Sequence, residues 1–192
     1  MYSQHNEEEI IKGYFPDLGT YLDVGAGDPK EFSNTFGLYE LGWRGVLVEP
    51  FFKYTEDILK IRPEDKLCKK VITNHVGKVE MLNTASVETD IGKLYKEDIV
   101  GRTSHVVPCY TIKEFLEEYP EMLEPDFMNL DIETGEEALL SCCDFNIFKP
   151  KLLCIEFEVR GKNYKKDWEP YLEPFYTPVQ TVTFNQFYLR KP

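Results

Sequence analysis

Six residues, Asp23-Val24-Gly25-Ala26-Gly27-Asp28, constrain this chain more than any other feature. They complete the apolar run Tyr21-Leu22-Asp23-Val24 and precede an amphipathic stretch, so they read as a strand feeding a loop and then a helix. Glycines at such a turn let the backbone approach a ligand closely, and the helix N-terminus beyond offers free N–H groups. The stretch is not a dinucleotide GxGxxG loop, because Lys30 stands at the place of the third glycine. Nor is it a phosphate loop, because no Gly-Lys-Ser/Thr follows. A bare strand–GxG turn also serves simple packing, so the rest of the chain has to decide.

The rest alternates short apolar runs with amphipathic stretches, the pattern of βαβ units around a parallel sheet. Phe32, Phe36 and Tyr39 recur at helical spacing, which predicts a helix over residues 30–41 with Gly42 as its stop. Strands are expected over residues 45–49, 67–73, 127–131 and 152–157, with a short extra strand over 78–82 and a brief one at Val106 and Val107. Helices are expected over residues 53–61 and 135–143, and from Thr111 to about Pro120, where Thr111 and Glu114 form a capping box. A polar stretch around Trp168 leads to two β-like runs, 179–182 and 184–189. Residues 83–104, with Gly92 and Gly101 and mixed charges, read as an irregular insertion near an acceptor site. The expected fold is α/β and Rossmann-like: one domain over residues 1–192, with a mostly parallel seven-stranded sheet and helices on both faces.

Composition narrows the partners. A length of 192 residues suits one domain, and 42% hydrophobic residues supply a core. No apolar run is long enough to span a bilayer. The first nine residues are polar and acidic, without a basic or apolar leader region, which predicts a cytoplasmic protein. The net charge of -12 repels phosphate backbones and anionic membranes, so neither nucleic acid nor membrane is an expected partner. The short basic stretches 66–70 and 162–166 read as solvated surface. Five cysteines without a CxxC pair argue against a disulfide framework and a zinc knuckle.

The carboxylates carry the functional signal. Glu49 ends the second strand of the unit, where a carboxylate accepts hydrogen bonds from the ribose hydroxyls of an adenosine ligand. Asp131 and Glu133 follow one later strand, and Glu156 lies near the end of the next. Ligands of open α/β sheets sit beyond the carboxyl ends of the strands, so these groups are expected to line one crevice. Crowded carboxylates raise one another's pKa, which suits a general base or a divalent cation. Helix capping by Asp131 or Glu133 is the alternative. His75 falls in an expected turn. His105 follows the irregular stretch and is a further catalytic candidate.

These residues fall in the order seen in one family. The chain resembles the FkbM methyltransferases, which use S-adenosylmethionine. The resemblance rests on Tyr2-Ser3-Gln4, Leu22-Asp23-Val24-Gly25-Ala26-Gly27, Ser33-Asn34-Thr35 and the run Leu41-Gly42-Trp43-Arg44-Gly45-Val46-Leu47-Val48-Glu49-Pro50. It continues through Asp131-Ile132-Glu133-Thr134-Gly135-Glu136 and Cys154-Ile155-Glu156, with Thr134 standing where the family usually has glycine. The resemblance implies a class I methyltransferase fold and methyl transfer to a hydroxyl of a sugar, glycan or other small molecule. It implies that Asp23, Gly25 and Gly27 shape the methionine side of the cofactor site and that Asn34 touches the cofactor. Glu49 with Pro50 would hold the ribose, the adenine would lie near Thr73 and Asn74, and Gln4 would belong to a segment over the cofactor, residues 1–15. Asp131, then Glu156, then His105 are the expected bases. Asp131 with Glu133 would hold a divalent cation such as Mg if one is used. The sequence leaves a homo-oligomer open. An NAD-dependent oxidoreductase on the same scaffold and a non-catalytic ligand-binding relative are the alternatives.

Overall fold

The computed structural model of the chain describes residues 2–82, 104–132, 135–159 and 161–192. Helix α1 (Glu7–Tyr14) leads into strand β1 (Thr20–Val24), α2 (Phe36–Glu40), β2 (Arg44–Val48), α3 (Phe52–Ile61) and β3 (Lys66–Cys68). Strands β4 (Val71–Ile72), β5 (Gly77–Leu82) and β6 (Ser104–Tyr110) follow, then α4 (Ile112–Glu118), β7 (Phe127–Leu130), α5 (Glu136–Leu140) and β8 (Leu152–Glu156). A short hairpin, β9 (Glu158–Val159) and β10 (Lys162–Asn163), precedes α6 (Lys165–Leu172) and the closing strands β11 (Tyr176–Val182) and β12 (Asn185–Arg190).

Seven strands form the central sheet in the order β11-β12-β8-β7-β1-β2-β3. β3, β2, β1, β7 and β8 run parallel, while β12 and β11 close the edge antiparallel. β1 is the switch point. The chain leaves it toward β2 and β3, then returns to β7 on its other side. Side chains of an extended strand alternate between faces. Leu22, Val24, Met128, Leu130, Leu153 and Ile155 therefore enter one core with Phe115, Leu139 and Trp168 from α4, α5 and α6. Tyr21, Leu47, Phe127 and Cys154 enter the other with Ile11, Leu38 and Ile58 from α1, α2 and α3. Helices thus cover both faces, as the alternating pattern predicts.

Three boundaries differ from the sequence reading. The helix expected over residues 30–41 is only α2, because residues 28–35 form side-chain-stapled turns. Asp28 accepts the N–H groups of Lys30 and Glu31, Phe32 sits at φ 61°, and Ser33 Oγ accepts the N–H of Phe36. The strand expected over 67–73 divides: β3 joins the central sheet and β4 a second sheet, ordered β4-β6-β5. β6 is longer than the two valines suggest, because β5 pairs with it along six residues from Ser104 to Cys109 and β4 with its end. Helices α1 and α6 were not expected; α1 is acidic in its first turn and α6 contains Pro170. The capping box at Thr111 is present, with the Thr111 N–H donating to Glu114 Oε2 at 3.1 Å.

A buried polar network ties β1 to β2 and to the segments flanking α2 and α3. Arg62, fully buried just past α3, donates through Nε to Asp65 Oδ2 at 2.8 Å and through Nη2 to the Tyr21 hydroxyl at 2.8 Å and Thr35 Oγ1 at 3.0 Å. Thr35 in turn donates to Asp23 Oδ2, and Asp65 Oδ1 accepts the N–H of Gly45 at 2.9 Å. Burial raises the Asp23 pKa, and the Arg62 guanidinium opposes that rise. Removing one partner of a buried ion pair strands the other, which costs about 3–5 kcal/mol. Arg62→Met is expected to lower the unfolding free energy by about that much in urea titrations. A loss below about 1 kcal/mol would show that the network is replaceable packing.

Candidate active site

The loops beyond β1, β2, β7 and β8 meet at the carboxyl end of the sheet. Backbone pairing continues past the strands: the Gly25 N–H reaches Val48 O, the Glu49 N–H reaches Cys68 O, and the Asp131 N–H reaches Val24 O, each at 3.0 Å. Gly25, at φ 86°, lies so close to the β7 loop that a Cβ would stand 1.9 Å from Asp131 O. Its missing side chain is therefore consumed by packing between loops. Gly27, at φ 55°, has nothing within 4 Å of its would-be Cβ. The two glycines of the motif thus do different work, one closing the loop contact and one leaving its backbone open for approach.

Glu49 is buried rather than lying at an accessible strand end. Its Oε2 accepts the Gly27 N–H at 2.8 Å and its Oε1 the Phe51 N–H at 2.7 Å. The carboxylate thereby locks the glycine loop to the end of β2. Burial pushes its pKa up to about 7, against the pull of those two N–H groups.

By strand alternation Asp23, Asn129, Asp131 and Glu156 share the face of α1, α2 and α3. Asp23 and Asn129 are paired across β1 and β7, and Asn129 Nδ2 donates to Asp23 Oδ1 at 3.0 Å. Asn34 Nδ2 donates to Asn129 Oδ1 at 2.9 Å. Asp23 and Asn34 therefore brace the floor of the crevice through this network. Above them, Asp131 and Glu156 extend the β7–β8 register, in which Leu130 faces Ile155, and their carboxyls are hydrogen-bonded. Burial raises the Asp131 pKa, the Asp23 and Glu7 charges push it further, and the bond to Glu156 opposes them. A carboxyl so placed holds or takes a proton near neutral pH more readily than an ordinary aspartate.

The other expected residues are spread around this point. Pro50 is half-buried beside Glu49, and Gln4 is exposed in the segment before α1. Asn74 is exposed after β4, with Oδ1 3.1 Å from His75 Nδ1, and Thr73 is buried with its N–H on Tyr110 O. His105 is exposed on β6, pairs with Met81 and meets the Phe51 ring edge-on, on the β2 side rather than at Asp131. Glu133 and most of the irregular stretch, residues 83–103, lie outside the described residues. Among the described residues no group of three or more His, Cys, Asp or Glu is placed to hold a metal ion, and no helix is long and apolar enough to cross a membrane.

Three contributors escaped the sequence reading. Glu136, buried in the first turn of α5, accepts the Ile132 N–H at 3.0 Å and so braces the turn after Asp131. Glu7 and Glu8 are buried at the start of α1. Glu8 Oε1 accepts the Gly37 N–H at 3.1 Å, and Glu7 Oε1 accepts Asn185 Nδ2 at 3.0 Å. Three acidic residues in a first helical turn read as solvated surface. The only hint against that was their fit to the positive end of the helix dipole.

Comparison with known proteins agrees with this geometry. The methyltransferase FkbM domain matches residues 23–174, which spans the glycine loop, Glu49 and both site carboxyls. This chain belongs to the FkbM methyltransferase family. The FkbM fold here superposes on a TehB-like SAM-dependent methyltransferase from Corynebacterium glutamicum with a TM-score of 0.53 at 13% identity, covering 98% of this chain and 89% of that one. It also superposes on the 1,6-didemethyltoxoflavin-N1-methyltransferase of Burkholderia thailandensis, solved with 1,6-didemethyltoxoflavin and S-adenosylhomocysteine bound, with a TM-score of 0.51 at 10% identity, covering 97% and 77%. A search of curated proteins finds no match to the sequence.

Two predictions follow from the loop. Gly25→Ala is expected to lower the melting temperature sharply, because its Cβ meets backbone that cannot move without shifting β7. Gly27→Ala is expected to cost only about 1–2 kcal/mol of conformational strain and to weaken nucleoside-ligand binding measured by calorimetry. Equal melting temperatures for the two variants would contradict the division of labour. The second concerns pH. A buried carboxyl titrating at about 7 instead of its ordinary 4.5 stabilises the fold below pH 4.5, and that contribution disappears as pH rises to about 7. The stability difference between wild type and Glu49→Gln should therefore change by roughly 3 kcal/mol over that window, in the direction of a relatively more stable variant at high pH. A flat difference in urea unfolding would rule out the raised pKa.

Proposed function

We propose that this FkbM-family protein is an S-adenosylmethionine-dependent O-methyltransferase acting on a hydroxyl of a small molecule, with sugars and glycosides the first class to test. The observation that carries the reading is the juxtaposition of the open Gly27 backbone, braced by Glu49, with the hydrogen-bonded carboxyls of Asp131 and Glu156 one strand away. The open space at Gly27 fits a ligand lying along the loop, and Glu49, with Pro50 beside it, ends β2 where ribose hydroxyls are held in such folds. The adenine is assigned to Thr73 and Asn74, after β4.

When bound, the sulfonium cofactor supplies an already activated methyl group. The protein's part is to align the acceptor oxygen with that carbon and to exclude water. A neutral hydroxyl is a weak nucleophile, so its proton needs a destination. Asp131 is that destination, and Glu156 steadies it through their shared hydrogen bond. His105 stands on the β2 side and has the weaker claim. The neighbours' fold alone does not choose between oxygen and nitrogen acceptors. The carboxyl pair favours oxygen, because a base is needed for a hydroxyl and not for a free amine.

Asp131→Asn is nearly isosteric and cannot take a proton. It is expected to keep S-adenosylhomocysteine affinity within a few-fold while lowering turnover by roughly 10²–10⁴ on whichever member of a sugar and glycoside panel is methylated. Asn caps a helix about as well as Asp, so a purely structural Asp131 would leave both stability and rate unchanged. An active variant would overturn the assignment.

A further inference from the structure

The segment before α1 is anchored at both ends, and the anchors define where it lies. At one end Tyr2 packs edge-on against Phe36 with ring centroids 4.6 Å apart, and its N–H donates to Glu8 at 3.3 Å. Glu8 is fixed to α2 through the Gly37 N–H. At the other end His5 packs edge-on against Phe184, in the turn between β11 and β12, with centroids 6.2 Å apart. The His5 N–H donates to Glu7 Oε2 at 2.8 Å, and Glu7 Oε1 holds Asn185. Asn185 is the register partner of Glu156. The segment therefore runs from the β1 side to the β12 side, and its His5 end is fixed beside the strand that carries Glu156.

The three histidines of the chain are thus divided. His75 contacts Asn74 and Cys109, and His105 contacts Phe51, both on the second-sheet side. His5 alone is tied to the carboxyl pair. Its ring is partly exposed, its neighbour Phe184 is 40% exposed, and no described residue hydrogen-bonds its imidazole nitrogens. A polar imidazole edge next to an exposed phenyl face suits a hydroxylated ring that has one apolar face.

We propose that residues 2–6 roof the acceptor site and that His5, with Phe184, contacts the acceptor directly. The acceptor class this selects is a compact ring bearing neighbouring hydroxyls, with its C–H face on Phe184 and a hydroxyl hydrogen-bonded to His5. The inference rests on the proposed methyl transfer. In that reaction the acceptor O–H bond breaks toward Asp131 as the oxygen bonds the methyl carbon, the carbon–sulfur electron pair stays on sulfur, and the proton passes to solvent. His5 holds a neighbouring hydroxyl and sets the ring's orientation. The charged group in contact with it is Glu7, which accepts the His5 N–H.

A group that contacts the acceptor lies close to the transferred methyl, so it feels the sulfonium charge. NMR of the three histidine rings at one fixed pH, assigned with His5→Gln, tests this with S-adenosylmethionine and S-adenosylhomocysteine as the probes. The His5 ring resonances are expected to differ between the cationic probe and the neutral one, while those of His75 and His105 are the same in both. If the Gly27 amide responds to both probes and the His5 resonances are the same in each, the roof proposal is overturned and the cofactor reading stands. If no resonance responds to either probe, the cofactor reading fails and the roof falls with it. Should His5→Gln unfold, Phe184→Leu provides the second check: it should move the His5 resonance and leave His75 in place. An unmoved His5 resonance there would count against the pair.

Discussion

The contact between Gly25 and the backbone of Asp131 is the constraint on which the rest of the site depends. With a would-be Cβ 1.9 Å from a carbonyl oxygen, the β1 and β7 loops touch through bare backbone. No other residue allows that approach at a positive φ. The contact brings the end of β7 against the glycine loop, and so sets Asp131 beside the place where a ligand of the loop would lie. It also explains why the switch point of the sheet, where the chain turns back past β1, is the place where the polar groups gather.

Around that contact the charge distribution is lopsided. Asp23, Glu49, Glu7 and Glu8 are buried, and Arg62 is the one buried cation among the described residues. Burying carboxylates is costly unless they are hydrogen-bonded or paired. Here backbone N–H groups, asparagines and threonine do most of the pairing, and Arg62 serves Asp65 directly and Asp23 through Thr35. The cost left unpaired appears as raised pKa values at Asp23, Glu49 and Asp131. Raised values of this kind are what a proton-handling site needs, and a net charge of -12 adds a field that draws in a cation.

Much of the fold was legible because the strands are apolar runs bounded by glycine or proline, and their order follows from βαβ connection rules. The register came from the structure. The failures have physical causes. Residues 30–35 carry helical spacing, but Asp28 and Ser33 offer the backbone side-chain acceptors that compete with a helix. Helix α1 was missed because buried glutamates look like surface in a sequence. In the candidate site, the strand-end positions of Glu49, Asp131 and Glu156 were legible. Their environments were not: Glu49 is enclosed, Gly25 serves packing, and Asp23 and Asn34 belong to a brace whose other members, Asn129 and Arg62, are distant in the chain. Networks assembled from four elements leave no periodic trace. Glu133 lies outside the described residues.

The central claim is that the glycine loop and the end of β2 form an adenosyl-thioether site rather than a dinucleotide site or a packing turn. Isothermal titration of the wild-type protein with S-adenosylhomocysteine and, in parallel, with NAD tests it most directly. The account predicts saturable one-to-one binding of S-adenosylhomocysteine and no heat of binding for NAD. Binding of NAD in its place, or of neither, would contradict it.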